Sequence, residues 1–454
     1  MKTSSWLVAC GLVFASTLLM RASNDHCGGE PCDAVARGFR AFFDRKLDGL
    51  GANGRACADC HMATDNFQLS PASVEARFQL LQLRRQLNPD ADDPLFRPID
   101  ADDFRVNGES ASDFSNLRQN GLVRITFALP PNIRLIDPAT NLPSAETEVD
   151  VWRSVPTVND VALTGPDTGI WWPRGPNEAG GYQLDARIST LQEQALAALT
   201  NHAQVLHAPP QRLLDDLSSF QRVLFTNERV RALSDAVRQG AVVLPDPDRP
   251  LNALERQGKA VFERACGQCH GGPGQSTPQA TLNNPPAPVI RFHNIFSQCP
   301  RPVDPTGRYV FAACTPQLTR NVRTYEIALS IATPGPGGII LQAGDIIRRS
   351  SSDPGRALLT GFVGGPAPRD DWEKFDVPGL RGISKTAPYF INNSAATLEE
   401  MVDHYLALFK RAEVNFVPGP TAVVPPIATT DGVNFDRRPT PEERAALLAY
   451  LRKL

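Results

Sequence analysis

The sequence predicts a mainly α-helical protein of two similar domains in tandem, with Pro-rich loop insertions and a little β-ribbon. Three observations carry that reading. The chain is 454 residues long, more than one hydrophobic core of roughly 250–300 residues supports. A short motif, Cys57-Ala58-Asp59-Cys60-His61, returns as Cys266-Gly267-Gln268-Cys269-His270. Each copy follows a helix-periodic segment, and each half closes on another. Proline, at 40 residues against 33 glycines, predicts long irregular connections between these elements.

Taken in order, the chain opens on Met1-Lys2, an apolar run from Trp6 to Met20, and Arg21-Ala22-Ser23. The run is shorter than the about 20 residues of a membrane span. It fits a signal peptide over residues 1–23, which predicts a periplasmic protein, with an uncleaved anchor as the alternative. Ala34–Leu47 sets Val35, Phe39, Phe42, Phe43 and Leu47 at helical spacing. Leu122–Phe127 and Ile133–Ile136 look like a β-ribbon split by Pro130-Pro131. Pro210–Phe225, with Leu213, Leu214, Leu217, Phe220 and Leu224, predicts the closing helix of the first half.

The proline- and charge-rich stretch Gly240 to Pro250 is the predicted linker, dividing residues 24–245 from 250–454. Leu251–Glu263 repeats the helix before the motif, and Pro273–Pro336 is a Pro-rich insertion. Pro441–Leu454 is the closing helix, opened by Thr440 as N-cap with proline at the first position. In an oxidising compartment Cys27 with Cys32, and Cys299 with Cys314, predict disulfides.

The repeated motif has the C-x-x-C-H spacing of covalent haem attachment. Two thiols add to the vinyl groups of one haem, and the adjacent imidazole reaches the iron. Chance placement at this composition predicts roughly 0.003 copies. A zinc ribbon needs a second C-x-x-C nearby, and a redox dithiol needs a βαβ setting; neither surrounds these motifs. Cys57, Cys60 and His61, and Cys266, Cys269 and His270, therefore predict two covalent c-type haems with His61 and His270 as iron ligands. A net charge of −3 and a pI near 6.2 lack the basic footprint of nucleic-acid binding. No phosphate-cradling loop and no G-x-S-x-G elbow is present.

A helix before C-x-x-C-H and a terminal helix across it resemble, twice over, the class I cytochromes c. More specifically, Asp376–Phe390 (DVPGLRGISKTAPYF) with Ala396–Glu400 resembles the bacterial dihaem cytochrome c peroxidase family and its MauG-type members. Phe42-Phe43-Asp44, Arg153–Val158, Asp185-Ala186-Arg187 and Thr190–Ala195 extend the likeness. It covers most of residues 33–454, but neither the Pro-rich insertion nor Leu87 to Asp150.

The resemblance implies a peroxide-using oxidoreductase whose first haem is reactive and whose second relays electrons. No histidine or methionine occurs between Met62 and His202 to cap the first haem. The distal ligand of the second falls on Tyr405, with His404 and Met401 as alternatives on the same helical face. Around the first haem, the family's acid–base glutamate falls on Gln204, with His202 as a candidate replacement, and a distal glutamine on Gln194. The interhaem tryptophan falls on Leu184, and a histidine of the family on Ile391. An interhaem calcium site, left open, would use Thr386 and Pro388, with Ser154 at its amide position. The implied partners are a small electron-donor protein (a cytochrome or cupredoxin) or a protein substrate, and a second copy in a homodimer. Two other readings remain: a haem-dependent oxygenase, and an electron-transfer cytochrome without catalysis.

Overall fold

A computed structural model describes residues 27–97, 99–101, 105–106, 109–110, 113–165, 181–267, 269–276, 292–293, 321–335, 339–365, 370–414 and 439–454. The expected signal segment, the Cys299–Cys314 pair and most of the Pro-rich insertion lie outside the described residues. No described helix is long and apolar enough to cross a membrane.

The principal helices are α1 (Cys32–Phe43), α2 (Pro71–Leu87), α3 (Leu191–Asn201), α4 (Gln211–Arg222), α5 (Glu228–Arg238), α6 (Ala253–Ala265), α7 (Leu398–Val414) and α8 (Arg444–Leu451). Helix α1 buries Ala34, Val35, Gly38 and Phe42, one stripe at helical spacing, against α4. Helix α6 buries Gly258, Val261, Phe262 and Ala265 against α8 in the same manner. The two crossings match atom for atom. A Cβ on Gly38 would overlap the Asp216 carbonyl oxygen and stand 2.8 Å from the Phe220 Cβ. A Cβ on Gly258 would overlap the Ala446 carbonyl oxygen and stand 2.8 Å from the Tyr450 Cβ. Only glycine lets the backbones approach so closely.

Five strands matter to the site: β1 (Leu122–Ala128), β2 (Ile133–Leu135), β3 (Glu148–Ser154), β4 (Arg323–Ala328) and β5 (Ile346–Ser351). The expected ribbon of β1 with β2 is not formed. Strand β1 pairs antiparallel with β3, from Leu122 opposite Ser154 to Ala128 opposite Glu148. Strand β2 pairs with β4, whose other edge takes β5. Pro130 and Pro131 lack ladder donors and sit in a turn closed by the Ile133 N–H to the Pro130 carbonyl at 2.9 Å. The alternation of buried Ile133, exposed Arg134 and buried Leu135 then sends β2 into a core with Phe127, Val149, Val151, Tyr325, Ile327 and Trp372.

The fold is thus a mixture of helices and small antiparallel sheets, with more strand than expected. Strands β1 and β2 and the start of β3 come from the stretch before Asp150, and β4 from the Pro-rich insertion, both outside the family resemblance, whereas β5 lies beyond the insertion. One sheet joins residues on both sides of the predicted linker.

Candidate haem-binding sites

Cys57 and Cys60 form a single helical turn, which sets their thiols on one side at i and i+3. Burial pushes the thiols of Cys57, Cys60 and Cys266 up to about 12. They therefore stay protonated at neutral pH, which disfavours thiolate exchange chemistry. The His61 Nδ1 donates to the Phe67 carbonyl at 2.9 Å. His270 Nδ1 faces the carbonyls of Gln275 and Pro378 at 3.0 and 3.1 Å. A carbonyl only accepts, so Nδ1 carries the proton in both rings and Nε2 is the atom that would meet an iron. Burial lowers the His61 pKa, and the charge of nearby His202 works in the same direction. A neutral imidazole is the form that binds metal. Both donor sets fit the haem that the motif implies.

The first set opens on a cavity of ≈ 1790 Å³ including its mouth. His61, Cys57 and Cys60 line it with Phe42, Pro156 and Val158, and α3 supplies a whole face of it. That face is Leu191, Gln194, Ala195, Ala198 and Leu199, continued by His202. Asp376 to Gly379 from the second half close another side. Pro378 therefore borders the first cavity while its carbonyl meets His270.

The two sites are built on one repeated unit. Val155–Thr164 (VPTVNDVALT) and Val377–Thr386 (VPGLRGISKT) correspond residue by residue. Each leads to a loop from a tyrosine to a capping threonine, Tyr182–Thr190 and Tyr389–Thr397. Both loops carry a bridge six residues long, Tyr182 to Ile188 and Tyr389 to Ala395. Both also place non-glycine residues at left-handed φ in the same places, Gln183 at 69° and Ala186 at 53°, Phe390 at 71° and Asn393 at 53°.

Thr190 accepts from the Glu193 N–H at 3.1 Å, and Thr397 from the Glu400 N–H at 3.2 Å. With the caps aligned, Gln194 corresponds to Met401 and Ala198 to Tyr405. The halves also clasp each other reciprocally. The Ser154 N–H donates to the Ile391 carbonyl at 2.6 Å, and the Asp376 N–H to the Leu184 carbonyl at 2.9 Å. Leu184 and Ile391, where the family resemblance expects a tryptophan and a histidine, are thus equivalent junction residues.

Of the candidates on α7, Met401 belongs to the hydrophobic core with Phe262, Leu398 and Tyr450. His404 is buried with its ring 4.7 Å from that of Phe390. Tyr405 is the one set near the motif cysteines: burial pushes its phenol up, and Cys269 and Cys266 add to that shift. Around the first cavity, Gln194 and His202 line the wall but Gln204 does not. Gln204 is exposed at φ 50°, where its Oε1 accepts from Asn53 Nδ2 at 3.2 Å. The chain turns there after α3 ends, which swings the Gln204 side chain out of the wall.

Thr386 and Pro388 lie in the segment that meets the first half, and the groups facing it are donors. Gln68 Nε2 donates to the Ala387 carbonyl at 2.8 Å, and Ser154 Oγ to the Phe390 carbonyl at 3.2 Å. Ser154 donates to Phe390 through Oγ and to Ile391 through its backbone N–H; the calcium site expected at Thr386 and Pro388 plays no part in the chemistry proposed for the first cavity. Asp100 and Arg55, by contrast, were not legible as site residues, although both line the first cavity. Asp100 comes from the stretch outside the family likeness, and nothing local marks it. The matched Tyr-to-Thr loops would have pointed to Ala198.

No protein-family model and no curated protein matches the chain. Among solved structures it is similar to a MauG-like protein associated with microbial copper homeostasis, at 18% identity over 93% of this chain and 88% of that one, with a TM-score of 0.42. It is also similar to the diheme peroxidase BthA from Burkholderia thailandensis, at 16% identity over 93% and 86%, with a TM-score of 0.36. A third likeness is to Kuenenia stuttgartiensis hydrazine synthase, at 15% identity over 93% and 87%, with a TM-score of 0.35.

Proposed function

We propose that the protein is a dihaem c-type oxidoreductase that uses peroxide as oxidant and passes electrons between two covalent haems. The observation that carries this reading is the exchange of Tyr405 for Ala198 between helices whose caps and loops otherwise match. Tyrosine offers a phenolic oxygen as a sixth ligand at the second site. Alanine at the equivalent place offers none, and the first cavity keeps room for a small oxidant.

A haem held by Cys57, Cys60 and His61 would supply a redox-active iron. Gln194 and His202 stand four residues to either side of Ala198 on the cavity wall. The Gln194 amide orients a small ligand by hydrogen bonding, and the His202 imidazole accepts its proton. Leu184 provides no aromatic relay between the sites. Pro378 provides a bonded one, since it takes the His270 Nδ1–H and lines the first cavity. Electrons enter from a small redox protein or from a protein substrate.

The test is to mix ferric, haem-loaded protein with stoichiometric peroxide and follow the Soret band and donor oxidation. A shifted band with donor turnover is expected. An unchanged band without turnover overturns the reading.

A further inference from the structure

The first cavity contains a pair that the peroxidase reading does not supply. His202 Nδ1 meets Asp100 Oδ1 at 2.9 Å, and the other Asp100 oxygen accepts from Arg55 Nη1 at 2.6 Å. Arg55 and Asp100 are almost fully buried, while the His202 side chain is 34% exposed toward the cavity it lines. Three further Arg55 N–H groups donate to the carbonyls of Pro94, Arg97 and His202, at 3.0, 3.1 and 3.1 Å. Asn53 Nδ2 also donates to the His202 carbonyl, at 2.9 Å. The backbone of His202 is pinned and the carboxylate cannot swing away. Before Asp100, Ile99 holds φ at 102°, a strained value for a β-branched residue.

We infer that Asp100 is a positioning residue that fixes the His202 tautomer, so that Nε2 becomes the proton acceptor for a protic ligand in the first cavity. This rests on the reading that the first haem is open. A carboxylate paired with Arg55 accepts, so Nδ1 keeps its proton and Nε2 keeps its lone pair. When a protic ligand such as a hydroperoxide enters, its O–H bond breaks and an Nε2–H bond forms. The ligand anion is released toward the place where a haem held by Cys57, Cys60 and His61 would present its iron, and the positive imidazolium is balanced by Asp100. The charged and titratable groups facing His202 are Asp100, Arg55 and His61.

Hydrogen cyanide and carbon monoxide separate base function from access, because only the first must lose a proton on binding. Association of cyanide with the ferric protein and of carbon monoxide with the reduced protein is followed in the Soret region at pH 7. In Asp100→Asn and in His202→Gln, cyanide association is expected to slow by on the order of 10²-fold, with carbon monoxide unchanged. Asp100→Glu is expected to restore most of the rate. In the His202→Gln background, Asp100→Asn should change nothing further, an outcome that a merely structural role does not produce. His202 is half-exposed, so its variant keeps the test alive if Asp100→Asn fails to fold. Equal slowing of both ligands, or no slowing of cyanide, overturns the inference while leaving the open-haem reading intact. If the wild-type protein binds neither ligand, both fall.

Discussion

Ala198 and Tyr405 occupy the same place in a repeated unit: each stands eight residues beyond a capping threonine. Under the proposed function, the difference between a methyl group and a phenol at that place leaves one site receptive and caps the other. Exchanging the residues should exchange the properties. Tyr405→Phe is expected to add a high-spin ferric signal from the second haem. Ala198→Tyr is expected to abolish carbon monoxide binding at the first. Optical and electron paramagnetic resonance spectra check both, and an unchanged spectrum in each variant would show that these positions do not face the irons.

Gly38 and Gly258 are predicted to be equally intolerant of a side chain. A methyl group at either would overlap a backbone carbonyl of the crossing helix, so each helix pair must spread. Gly38→Ala and Gly258→Ala should each cost about 1–3 kcal/mol, read as a lowered calorimetric midpoint in the haem-loaded protein. Midpoints that match wild type would mean that the crossings are looser than described.

A buried ionic cluster near the junction carries a pH prediction. Arg153 binds Asp353 through Nε and Nη2 at 2.6 and 3.0 Å, and Asp185 receives Arg153 at 2.5 Å and Arg187 at 2.6 Å. Burial alone would raise the Asp185 carboxyl, but Arg153 and Arg187 outweigh it and hold it below the usual carboxylate range. A lowered folded-state value contributes stability above the ordinary value of about 3.9, lost as pH falls through the lowered one. Asp185→Asn should therefore cost about 3–5 kcal/mol at pH 7, and the gap should narrow in acid. Denaturant melts at both conditions check this, and a gap independent of pH contradicts it.

Local chemistry was legible in the sequence. The C-x-x-C-H spacing marked the two cysteine and histidine sets, and the helix periodicity around Gly38, Phe220, Gly258 and Tyr450 located the helices that cross beside them. Strand partners were not legible. Ile133–Leu135 has the alternation of a strand, but its partner Arg323–Ala328 lies far along the chain and no local pattern names it. The same holds for Asp100, which reaches His202 through a tertiary contact. Gln204 lies outside the cavity wall because the chain turns at the end of α3, a turn that counting residues from a motif does not register.

The central claim is the asymmetry of the two irons, and the electron paramagnetic resonance spectrum of the ferric, haem-loaded wild-type protein tests it most directly. One high-spin and one low-spin haem in equal amounts is the predicted result. Two low-spin haems would contradict it, because the place held by Ala198 would then not be vacant.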